Sequence, residues 1–194
     1  MMPTARSRGF SLLEVLISIF LFAIGLMGIA SLQLKLQTGH VETHQRTQAA
    51  HLIRDFAERM NANLFNVNAY VTGTGNPLGT GDGIGADCTD PTWTIAQRDR
   101  CEFSGLLKGA AETAGGNQVG AMTGARACVE VVTALDPTPG VCTAGIYRLS
   151  LTWQGLRESA APAQGLACGR EQYGDETLRR VVSSTITIGL PRCS

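Results

Sequence analysis

The stretch "SRGFSLLEVLISIFLFAIGLMGIASLQ", Ser7–Gln33, decides how the rest of the chain is read. From Val15 to Leu34 it runs twenty residues without a charge. As a helix, that run would extend about 30 Å, the thickness of the hydrocarbon core of a bilayer. Arg6 and Arg8 precede it, which favours a cytoplasmic start. Near its front sits Glu14, and a carboxylate in hydrocarbon is costly enough to require a purpose.

Three interpretations compete for this segment. A secretory signal peptide would be cut at Ser31, after the small residues Gly28 and Ala30. Its apolar core, however, should be only about 7–15 residues long and free of an acidic interruption. A plain membrane anchor accounts for the length and leaves Glu14 without a role. The third accounts for every residue: "RGFSLLEVLI" (Arg8–Ile17) resembles the processing site of type IV prepilins, with a short basic leader, Gly9, then Phe10 and Glu14. The resemblance implies cleavage between Gly9 and Phe10 by a prepilin peptidase, which also methylates the new amino terminus at Phe10. It further implies that Glu14 of one subunit pairs with the terminal amine of a neighbour during assembly. Either charge alone is expensive in a low dielectric, and pairing offsets much of that cost.

Helical patterning continues past Lys35. "LQLKLQTGHVETHQRTQAAHLIRDFAERMNANLF" (Leu32–Phe65) contains no proline, and Ala49, Leu52, Ile53, Phe56, Met60 and Leu64 recur at steps of three and four. This is one amphipathic face, and a helix from Ser11 to about Leu64 would be about 80 Å long. A globular domain must cover the stripe. His40, His44, His51 and Glu58 fall on the opposite side. "HVETH" lacks the glutamate placement of a metalloprotease motif, so the row reads as a face toward water or a neighbouring subunit, with no metal expected. Gly25 and Gly28 permit close helix approach in lipid and mark a packing face, and Gly39 is a candidate bend.

The 16 basic residues balance the 16 acidic ones, without the clustered basic patch of a nucleic-acid surface. All six cysteines, Cys88, Cys101, Cys128, Cys142, Cys168 and Cys193, follow the helix. Their wide, even-numbered spacing points to disulfides in an oxidising compartment rather than to zinc, whose close-spaced ligand pairs are missing. "VTGTGNPLGTGDGIGADCTDP" (Val71–Pro91) reads as a Gly/Thr/Asp loop lacking the G-K-[ST] ending of a phosphate loop. Asp82, Asp87 and Asp90 read there as solvated loop acids. A weak helical pattern covers Thr94–Glu112. The period then changes to two in "RACVEVV" (Arg126–Val132), "IYRLSLTW" (Ile146–Trp153) and "LRRVVSSTITIGL" (Leu178–Leu190). Three strands joined in order predict an antiparallel meander covering the helical stripe, an α+β layer. In such a meander Cys128 approaches Cys168 at one edge and Cys142 approaches Cys193 at the other, leaving Cys88 with Cys101. The sequential pairs Cys128–Cys142 and Cys168–Cys193 stay open.

"AIGLMGIASLQ" (Ala23–Gln33), "RTQAAHLIRD" (Arg46–Asp55) and "ERMNAN" (Glu58–Asn63) extend the resemblance to the N-terminal helix of PilV-type minor pilins. It is close from Gly9 to Asn63 and holds only in outline beyond. It implies a leader at 1–9, a transmembrane and assembly half at 10–36, an amphipathic half at 37–68 and a periplasmic pilin domain at 69–194. Such a subunit is held in the bacterial inner membrane, primes a type IV pilus with other minor pilins and the major pilin, enters the filament at or near its tip, and helps present an adhesin. A pseudopilin of a type II secretion system shares the leader and Glu14. A membrane-tethered periplasmic binding module is the alternative of another class. No histidine follows His51 and no G-x-S-x-G motif occurs, so neither an enzyme nor a cofactor is expected.

Overall fold

The computed structural model describes residues 9, 11–109, 113–114, 117–118 and 122–190. The chain divides into two units, one ending at Val41 and the other beginning at Glu42. The α-helix α1, Leu12–Ala62, supplies the described helix of the first unit and the opening helix of the second.

In the second unit the apolar steps of the sequence become a buried stripe. Ala49, Ile53, Phe56 and Met60 are fully buried, while Leu52 and Leu64 are partly buried against the same core. After α1 a 3-10 helix, Leu64–Tyr70, returns Val67 and Tyr70 to that core. The helix α2, Ile95–Leu107, starts at a capping box. There the Gln97 amide donates to Thr94 Oγ1 and the Thr94 amide donates to Gln97 Oε1, satisfying donors that a helix start leaves orphaned. Phe103 of α2 stacks on Phe56 with ring centroids 4.1 Å apart, and Tyr70 meets the same ring edge-on.

Four strands form the main sheet, in the order β1 (Leu78–Gly79), β4 (Arg126–Thr133), β5 (Gly145–Gln154) and β6 (Arg179–Ile188). All pairings are antiparallel. The small strands β2 (Thr113–Ala114) and β3 (Asn117–Gln118) pair with each other. The three long strands form the expected meander. The addition is β1, inside the stretch read as a loop. Gly79 holds a φ of +102°, and a Cβ there would stand 2.5 Å from the Ala125 carbonyl oxygen. Only glycine lets this backbone lie so close to its neighbour. Tyr147, Leu149, Leu151 and Trp153 alternate along β5 and complete the core with Val129. The result is an α+β fold in which an amphipathic helix packs on a small antiparallel sheet.

Two disulfides lie wholly within the described residues, Cys88–Cys101 and Cys128–Cys168, across sequence separations of 13 and 40. The expected Cys142–Cys193 pair falls outside the described residues because of Cys193.

Candidate functional site

Ser11 immediately precedes α1, and its carbonyl accepts hydrogen bonds from the amides of Glu14 at 3.0 Å and Val15 at 3.2 Å. Glu14 therefore lies in the first helical turn, where the helix dipole favours a negative charge. From Val15 to Leu32 the polar side chains are Ser18 and Ser31 alone. Ser18 Oγ donates to the Glu14 carbonyl at 2.7 Å, and Ser31 Oγ donates to the Gly28 carbonyl at 2.8 Å. Both hydroxyls are satisfied inside their own helix, as hydrocarbon surroundings require.

The side chains from Leu12 to Gln33 are all exposed in the single chain, with Leu12 at 78%, Phe22 at 69% and Met27 at 77%. Each large apolar side chain left in water forgoes about 1.5–3 kcal/mol. An apolar surrounding, either lipid or other helices, is what this surface is built for. By length and composition α1 is able to cross a membrane. Gly9 is exposed, and Phe10 lies outside the described residues. A Cβ added at Gly25 or Gly28 would meet nothing within 4 Å, so the chain's own packing requires glycine at neither position.

The profile of the prokaryotic N-terminal methylation motif matches residues 4–30. This is the leader of type IV pilin-like proteins, and it supports a pilin or pseudopilin, a structural subunit processed by a prepilin peptidase and partnered by proteins of the pilin class. Leader and apolar helix together fit a membrane-anchored pilin. No curated protein and no solved structure significantly matches the chain.

His40, His44, His51 and Glu58 are exposed along α1. Asp87 and Asp90 are exposed as expected, each accepting from the amide and hydroxyl of the threonine two residues on. Asp82 departs from the expectation of a solvated acid. Its side chain is only 6% exposed and 2.5 Å from Lys108 Nζ. It also accepts from Ser104 Oγ and from the amides of Gly79 and Ile84. Burial pushes its pKa up, but these hydrogen bonds outweigh burial and leave it below the usual aspartate value. Its partners are too far along the chain for sequence spacing to reveal them.

A second network likewise joins residues far apart in the sequence. Arg59 reaches Asp55 at 3.0 Å, Glu102 at 2.6 Å and Asp99 at 3.4 Å, tying α1 to α2. Tyr70 donates to Asp99 at 2.5 Å, and its pKa is pushed up to about 12 by burial and by that carboxylate bond. These groups hold the domain together around the helix.

Proposed function

We propose that this chain is a minor pilin of a type IV pilus, of the PilV type. The leader 1–9 is removed after Gly9 and Phe10 is N-methylated. Residues 10–36 hold the subunit in the inner membrane, 37–68 carry the amphipathic half of the helix and the start of the 3-10 helix after it, and the domain over 69–194 stands in the periplasm. The observation that carries this reading is the methylation-motif match over residues 4–30, which runs from the basic leader into the uncharged span and takes in Glu14, five residues beyond the proposed cut.

Glu14 supplies the assembly charge. Cleavage creates an ammonium group at Phe10, and both charges enter apolar surroundings. Pairing the carboxylate of one subunit with the amine of the next offsets the desolvation of each and sets the axial register between helices. Gly25 and Gly28 let helices approach closely where no side chain of this chain needs the room. The partners are then other minor pilins and the major pilin, in a complex that primes assembly, sits at or near the tip and helps present an adhesin.

The test is fractionation of cells into membrane and sheared filaments, using antibody against the domain. A minor pilin appears in sheared pili at low abundance, and its deletion reduces piliation. Absence from pili together with a secretion defect on deletion identifies a type II pseudopilin instead.

A further inference from the structure

The second unit carries a polar cleft of about 690 Å³ between the loop after the 3-10 helix, α2 and the loop around Cys168. Three guanidinium groups line it, those of Arg100, Arg126 and Arg170. The carboxylate on its wall, Asp82, is already held by Lys108 and Ser104. Arg170 donates from Nη2 to the Gln164 carbonyl and its charge also acts on Glu176, outside the lining. Arg100 and Arg126 form no ion pair with a lining residue, so the cleft presents an excess of cationic donors.

These arginines are positioned. Arg126 lies with its guanidinium carbon 5.4 Å from the Tyr173 ring centroid. One hydrogen bond, from Nη1 to the Gly124 carbonyl at 3.2 Å, orients it. Tyr173 is itself anchored by its hydroxyl, 2.9 Å from both Thr152 Oγ1 and the Gly124 carbonyl. Arg100 donates to the Ala69 carbonyl at 3.3 Å, and its buried Nε has no hydrogen-bond partner among the described residues. Both disulfides brace the walls. Cys101 follows Arg100 on α2 and is tied to Cys88, while Cys168, two residues before Arg170, is tied to Cys128 on the same face of β4 as Arg126. Asn76, Thr80 and Gln172 also line the cleft, with amide and hydroxyl groups suited to hydroxylated ligands.

We infer that this cleft binds an anionic saccharide, a hydroxylated ring carrying carboxylate or phosphate. Guanidinium forks match both oxyanions bidentately, and the neutral polar side chains take the hydroxyls. This assignment stands on the domain's own geometry and does not depend on the pilin reading.

The full chain in nonionic detergent is titrated by calorimetry with trigalacturonate, glucose 6-phosphate, neutral maltotriose and inorganic pyrophosphate. One or both anionic sugars bind, which distinguishes carboxylate from phosphate, and added salt weakens the binding. The double variant R100Q/R126Q loses affinity by about tenfold or more, whereas R54Q, which removes an exposed charge outside the cleft, changes it by less than about twofold. Arg170 is exposed, so R170Q tests the site even where the double variant lowers thermal stability. The inference is overturned by any of three results. Neither anionic sugar binds, maltotriose or pyrophosphate binds as tightly as both, or R54Q weakens binding as much as R170Q.

Discussion

Trp153 on β5 donates its indole N–H to Gln45 Oε1 on α1, 3.1 Å away and 108 residues earlier in the chain. Both residues are buried. This bond gives the helix a defined rotation on the sheet, because an apolar stripe alone tolerates small slips that a buried amide does not. Nearby, Glu42 meets Arg180 of β6 at 3.0 Å, and Arg180 also donates to the Thr177 and Arg157 carbonyls.

Replacing Trp153 with Phe removes the donor and leaves the amide oxygen of Gln45 without it. The expected loss is about 1–3 kcal/mol for the polar group, increased by whatever cavity the smaller ring leaves. Thermal unfolding of the detergent-solubilised chain, compared with the parent protein, measures it. An unchanged midpoint would show that the bond does not position the helix.

Asp82 makes stability depend on acid in a stated direction. Its folded pKa is depressed, so its contribution is present above the unfolded value of about 3.9 and is lost as pH falls through the folded value. The variant D82N should destabilise the domain at neutral pH by about 1–3 kcal/mol. It should also flatten the decline in stability below about pH 4, since the titrating group is gone. Denaturation midpoints across that range check both the offset and the slope.

The two described disulfides should differ in worth. Chain-entropy arguments give about 3 kcal/mol for the Cys88–Cys101 loop of 13 residues and about 4 kcal/mol for the Cys128–Cys168 loop of 40. Paired Cys→Ala variants, ranked by thermal midpoint, should therefore show the larger fall for Cys128 and Cys168. Equal or reversed losses would assign the stabilisation to the folded loops rather than to the unfolded chain.

How much of this was legible follows from the kind of signal each residue carries. Ala49, Ile53, Phe56 and Met60 repeat at helical steps, and β4 to β6 alternate with β-branched residues, so helix and meander emerge from local pattern. The short strand β1 carries no such period, because two residues inside a glycine-rich stretch form a strand only through pairing with Ala127 and Arg126. Arg179, within the third alternating stretch, is 1% exposed, held by Glu176 and by the Leu166 and Cys168 carbonyls. Burial of a charge is decided by partners that arrive from elsewhere in the fold. The processing segment is the opposite case, since its chemistry lies in contiguous residues and is recognisable without any structure.

Glu14→Ala should leave the protein inserted in the membrane, because the change makes the span more apolar. Recovery in sheared pili should fall by about tenfold or more, as an unpaired amine in apolar surroundings is strongly disfavoured. Quantitative immunoblots of membrane and filament fractions separate the two effects. Undiminished incorporation would remove the charge pair from the account of assembly.

The central claim is settled most directly by mass spectrometry of the amino terminus of the protein purified from its native membrane. Cleavage after Gly9 predicts a chain beginning at N-methylated Phe10 and still carrying its apolar helix. Recovery of a terminus at Ser31, or of an uncleaved chain beginning at Met1, would contradict it.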